Sequence, residues 1–272
     1  MEQFTAAPAA ATEGLPPLDG ESYNDLCPTP ENTALFNAAL AGSAMGVASA
    51  LKKGAKVGYF HRPEEQKTSL HVAAELGHAE VCTLLLEAGC TVDQIALTNK
   101  DTPLVLAASG GHASVVTLLL DANANIHKQN CYGNSALHEA AHHGYLDTCK
   151  LLLSRGAQAS QQNNKGSTAL HLACYGESKE EHPLELVKLL AKEVGSDVNA
   201  VDSRGVSPLI AACSVGRDDI ISHLLDSGAN GKHVDNSGMD GLSTATFQRH
   251  EKKLSAQLQK QVTCEAPASV FT

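Results

Sequence analysis

One pattern returns five times along this chain of 272 residues. The copies are TSLHVAAELGHAEVCTLLLEAGC from Thr68, TPLVLAASGGHASVVTLLLDANA from Thr102, SALHEAAHHGYLDTCKLLLSRGA from Ser135, TALHLACYGE from Thr168 and SPLIAACSVGRDDIISHLLDSGA from Ser207. Their starts lie 34, 33, 33 and 39 residues apart. A fixed period of this length means a stacked array, because a unit so short buries its apolar face only against its neighbours.

Each copy reads as two short helices. Thr68, Thr102, Ser135, Thr168 and Ser207 stand where an N-cap hydroxyl accepts a first-turn N–H, and Pro103 and Pro208 follow at the first helical position. The first helix runs to a glycine. The second carries an apolar stripe such as Val115, Val116, Leu118, Leu119 and Leu120, and stops at Gly89, Asn123, Gly156, Gly195 or Gly228, residues that tolerate the left-handed conformation.

These five copies resemble the ankyrin repeat, whose signature T-P-L-H-x-A-A-x-x-G-H followed by V-V-x-L-L-L-x-x-G-A they follow. The resemblance implies an all-α solenoid of stacked antiparallel helix pairs joined by β-hairpin-like loops. The array is expected over 32–264: a degenerate N-terminal cap at 33–66, five clear repeats at 67–238 and a degenerate closing helix pair at 239–264. Residues 1–31, rich in Ala and Pro, read as a disordered arm that serves either as a tether or, through YNDLCPTP, as a recognition motif; 265–272 form a tail. The resemblance also implies that the fourth-slot histidines, His71, His138 and His171, hydrogen-bond to the turn region.

Within the third copy, HEAAH places His138 and His142 at i and i+4 with Glu139 between, the spacing of a zinc-protease helix. The repeat explains it otherwise. Glu139 fills a slot held elsewhere by Val72, Leu106, Leu172 and Ala211, and the extended zinc pattern fails at Tyr145 and Thr148. A zinc-dependent hydrolase is therefore the alternative to a binding module, and no cofactor or metal is expected. Cys82, Cys149, Cys90, Cys174 and Cys213 fall in small apolar columns, and Cys131 at a loop tip.

A net charge of -10 disfavours nucleic acid, and no apolar run is long enough to span a bilayer. The acidic N-terminus lacks a basic targeting region and no C-x-x-C pair occurs, so a cytoplasmic or nuclear, reducing location and a monomer are expected. Departures from the repeat carry their own expectations. The insertion in YGESKEEHP bulges between two helices, either as part of a binding face or as a tolerated solvated excursion. In GAKVGYFHRPEEQKT, Tyr59 and Phe60 beside His61 and Arg62 either anchor a partner or fold back over the array's end. VDQIALTNKDT lacks the usual glycine and is unusually apolar.

The resulting expectation is a non-catalytic scaffold or adaptor, gripping a protein partner in a preorganised concave groove. By the ankyrin resemblance, contacts come from loop tips and variable first-helix slots: Glu75, Leu76, Ser109, Cys131, Tyr132, Asn134, Glu139, His142, His143, Lys165, Tyr175, Ser203, Arg204 and Ser214. Tyr132, His142 and His143 form the expected hot spot, because Tyr and His combine apolar area with hydrogen bonding. Protonation of the two adjacent histidines near pH 6 is expected to tune partner affinity.

Overall fold

The computed structural model describes residues 29–61, 66–176 and 183–247. The N-terminal arm, the first-linker tip at 62–65, the fourth-copy insertion and the second half of the closing pair lie outside the described residues. An inner row of helices consists of α1 (Pro30–Leu40), α3 (Ser69–Glu75), α5 (Pro103–Ser109), α7 (Ala136–His143), α9 (Ala169–Tyr175), α11 (Pro208–Val215) and α13 (Gly241–Phe247). An outer row consists of α2 (Ala44–Lys52), α4 (Ala79–Glu87), α6 (Ala113–Asp121), α8 (Leu146–Ser154), α10 (Pro183–Lys192) and α12 (Asp218–Asp226). Each inner helix packs on the next inner helix and each outer helix on the next outer one. The all-α solenoid read from the repeat is the architecture found.

The leucine stripe explains the stacking. The middle leucine of the five outer helices from α4 to α12, Leu85, Leu119, Leu152, Leu190 and Leu224, is 0% exposed, while the neighbours Leu84, Leu118, Leu151 and Leu189 are half-buried. Leu70, Leu104, Leu137, Leu170 and Leu209 are buried on the inner row. At about 1.5–3 kcal/mol per fully buried leucine, these two columns supply a large share of the cohesion. Gly89, Asn123, Gly156, Gly195 and Gly228 take positive φ where the outer helices end.

The caps take two forms. Where proline follows, the hydroxyl alone caps: Thr102 Oγ1 accepts from the Val105 N–H (3.3 Å) and Ser207 Oγ from the Ile210 N–H (3.4 Å). In the other three clear repeats the fourth-slot histidine reciprocates. Thr68 N–H donates to His71 Nδ1 (3.2 Å), the Thr68 hydroxyl lies 2.7 Å from the same nitrogen, and His71 Nε2 reaches the Asp101 carbonyl (3.1 Å). His138 links Ser135 to the Ser167 carbonyl, and His171 links Thr168 to that of Val206, each at 3.1 Å on the Nε2 side. A neutral ring protonated on Nε2 satisfies all these bonds, accepting at Nδ1 and donating to the next loop. The imidazole is thus both a cap and a tie between repeats.

The loops are built on a recurring amide or carboxylate. Asn130 Oδ1 accepts from the N–H groups of Tyr132 and Asn134, Asn163 Oδ1 from Lys165 and Ser167, and Asp202 Oδ1 from Arg204 and Val206. Each tip then donates one backbone bond to the previous tip: Cys131 to Asn99, Asn164 to Tyr132, Ser203 to Lys165 and Asn236 to Arg204. The turn residue two places before each cap is left-handed. Gly133 has φ 76°, and a Cβ there would stand 2.4 Å from the Asn164 nitrogen, so at this tip only glycine fits. In the glycine-free linker Lys100 takes that seat at φ 56°, and in the first linker Gln66 does at φ 49°.

Tyr59 and Phe60 are 3% and 4% exposed. The fold-back reading therefore holds, and they are not exposed anchors: Phe60 pairs with Thr68 in a short antiparallel ribbon, β1 (Phe60–His61) with β2 (Lys67–Thr68). The apolar next linker is likewise tucked in, with Ala96 buried and its N–H on the Asp101 carbonyl (2.8 Å), and the Leu97 N–H on that of Gln66 (3.1 Å).

Burial lowers the pKa of His71 to about 4 and lowers those of His138 and His171. A base held neutral in the folded state but free to protonate near 6.5 when unfolded makes stability fall as pH drops through 6.5 toward the lowered value. His71 alone accounts for about 3 kcal/mol over that window. Urea midpoints should accordingly hold nearly level from pH 7.5 to 7 and fall progressively as pH drops through 6.5 to 5; a midpoint flat to pH 5 refutes the neutral-tie reading.

Candidate functional site

A hollow of about 320 Å³ opens where three successive loops meet α7 and α9. It is lined by Tyr132 and Asn134 of the first loop, Asn163, Lys165 and Ser167 of the second and Arg204 of the third; His142, Leu172 and Tyr175 complete it from the helices. Because Tyr132 and Lys165 sit at successive tips of the backbone ladder, their spacing is set by the stacking of the repeats.

Behind the hollow runs a chain of side-chain hydrogen bonds. Asn163 Nδ2 donates to Asn134 Oδ1 (2.8 Å), and Asn134 Nδ2 to Glu139 Oε1 (2.9 Å). Asn130 Nδ2 donates to that same Glu139 oxygen (3.3 Å) and to Asp101 Oδ1 (2.9 Å), whose carboxyl burial pushes up. On the other wall Asp202, 5% exposed, accepts from Arg204 Nε (3.3 Å) and Nη2 (3.1 Å), which holds the guanidinium pKa above its usual value. Arg204 Nη2 also donates to the Tyr175 hydroxyl (3.1 Å). Burial raises the Tyr175 pKa, against the opposing pull of Arg204, so the phenol stays neutral. The frame is held by groups that satisfy one another, which preorganises the lining.

Six of the residues expected from the sequence converge here: Tyr132, Asn134, His142, Lys165, Tyr175 and Arg204. Glu139 lies in the hydrogen-bonded frame, and Cys131, exposed at its tip, lends its carbonyl to Asn164 Nδ2 (2.9 Å). His143 is set against the rings of His142 and Tyr145, at centroid separations of 5.0 and 6.1 Å, and does not line the hollow. Glu75, ion-paired with Lys67 at 2.5 Å, Leu76 and Ser109 belong to earlier repeats; Ser203 and Ser214 stand outside the lining, the latter bonded to the Ala211 carbonyl.

Asn163, Ser167 and Leu172 were missed, although the recurrence of Asn130, Asn163, Asp202 and Asp235 three residues before a glycine marks the loop builders. A second hollow, about 500 Å³, is lined by Leu51, Ala88 and residues 55–59, with Lys56 its one charged lining residue among the described residues.

The HEAAH residues have separate fates. His138 is 1% exposed with both ring nitrogens in hydrogen bonds, so a metal would have to displace a cap or a repeat tie. His142 is exposed. Among the described residues no three His, Cys, Asp or Glu side chains gather as metal ligands.

A family model described as ankyrin repeats in three copies matches residues 18–96, 92–163, 155–235 and 178–260. The chain belongs to the ankyrin repeat family. The crystal structure of the human ASB11 ankyrin repeat domain is similar at a TM-score of 0.69 and 25% identity, the match covering 89% of this chain and 100% of that one. No curated protein matches the sequence. Ankyrin repeats are in general protein-interaction modules, and no described helix is long and apolar enough to cross a membrane.

His138→Ala should lower stability by about 2–4 kcal/mol, since it leaves the Ser167 carbonyl and the cap unpartnered around a cavity. His142→Ala should leave the urea midpoint unchanged. Equal losses in the two variants would place both histidines in the scaffold.

Proposed function

We propose that this chain is a non-catalytic scaffold or adaptor that holds a protein partner against its loop tips and inner helices, as a subunit or regulator of a larger assembly. The observation that carries this reading is the convergence of three loops and two helices on one open hollow with a locked frame behind it. Tyr132, at the lip, is 57% exposed, and an exposed aromatic beside unspent polar groups is the usual make-up of an interface anchor. His142, Lys165 and Arg204 supply orientation around it.

The remaining expected residues extend the same face. Leu76, 44% exposed, and Ser109 offer contacts toward the N-terminal repeats, and Ser203 toward the C-terminal ones. Cys82, Cys174 and Cys213 are buried and their thiols are pushed up to about 12 by burial, which fits their use as small apolar fillers in a reducing compartment, cytoplasm or nucleus. We take the array as monomeric before it meets its partner, and as running from residue 32 to 264 between the arm and the tail.

Tagged wild-type chain should retain a near-stoichiometric protein from native lysate, and Tyr132→Ala/His142→Ala should reduce its recovery at least tenfold while keeping the urea midpoint. Quantitative mass spectrometry reads the recovery, and hydrogen exchange on the purified complex should show protection across 130–142 and 163–175. Undiminished recovery with the folded variant, or protection elsewhere, rejects this face.

A further inference from the structure

In a chain of net charge -10 the hollow is cationic. Its charged lining groups are Lys165 and Arg204, with His142 beside them, and among the described residues no Asp or Glu lines it. Two acids bonded to lining residues are turned to internal use. Asp202 accepts two backbone N–H groups and the Arg204 side chain, and Glu139 accepts from Asn130 and Asn134. Exposed Lys165 and His142, by contrast, make no side-chain hydrogen bond among the described residues, and Arg204 keeps Nη1 unspent. Donors without acceptors thus surround apolar area supplied by Leu172 and the two tyrosines.

We propose, on the basis of the groove reading above, that the hollow receives an acidic linear segment of the partner, seating one Asp or Glu carboxylate between Lys165 and Arg204. A neighbouring apolar side chain of the segment packs on Tyr132 and Leu172. Arg204 is already ion-paired with Asp202 (3.1 Å), which leaves Lys165 as the lining cation without an acid partner among the described residues, a match for a monoanionic carboxylate. Charge-assisted bonds of this kind fix register as well as affinity. The backbone bond from Ser203 to Lys165 (2.8 Å) sets the two tips that carry these cations side by side before any segment arrives.

A random linear peptide library panned on the full chain tests this directly. Recovered peptides should be enriched in Asp and Glu, bind about tenfold more weakly to Lys165→Glu by fluorescence polarisation, and lose as much when their acid is replaced by its amide. Lys165 is an exposed tip residue, so that variant should keep the wild-type urea midpoint. Neutral or basic peptides that Tyr132→Ala weakens would overturn the acidic inference and leave the groove reading standing. Peptides indifferent to both variants, or no enrichment over the unselected library, would overturn both. A phosphoserine peptide binding more than tenfold tighter than its glutamate counterpart would make the hollow a phosphate site and overturn the carboxylate assignment.

Discussion

The contact between one repeat and the next is the condition for everything else in this molecule. The helices that carry Leu85 and Leu152 pack on the pair before and on the pair after as well as on their own partner helix, so no repeat holds its own core. Conformational entropy must be offset within each interface, and the two leucine columns, inner and outer, supply a large share of that. The buried histidines add direction. By capping its own helix with Nδ1 and reaching the next loop with Nε2, each of His71, His138 and His171 sets the rotational register at which the leucines meet.

That register is what gives the loop face its geometry. Tips bonded to one another through Cys131, Asn164, Ser203 and Asn236 behave as a ribbon whose spacing belongs to the stack and not to the loops themselves. The hollow is a consequence: side chains from three loops are aligned because their backbones are. Its polar frame, from Asn163 through Asn134 and Glu139 to Asn130 and Asp101, ties the first two of these loops to each other and to the linker before them, so lining and scaffold share residues. A surface of this type binds by holding its shape rather than by closing around a ligand.

The histidine pairs in HEAAH show how a scaffold overrules a local pattern. Two imidazoles one turn apart invite a metal, yet one is consumed as a buried cap and tie while the other stands exposed beside the hollow. The same neutral ring that makes His138 a good structural element makes it a poor ligand, because both nitrogens already have partners.

The period of the sequence determined the fold, the helix ends and the caps, because each is a local consequence of residue type: a hydroxyl before a helix, a glycine or asparagine after it, leucine on one stripe. It also placed Tyr132, Lys165 and Arg204 at tips, since tips follow from the period. What only the tertiary structure decided is which of these residues face one another. Tyr59 and Phe60 are apolar and could lie exposed or covered on sequence grounds; packing against the first repeats buried them. His142 and His143 are adjacent in sequence, but a helix turns about 100° per residue, so one lines the hollow and the other meets Tyr145. Asn163, Ser167 and Leu172 read as plain loop and helix residues until the stack brings them beside Tyr132, because the distance between two repeats is a property of their interface and is written in neither repeat alone.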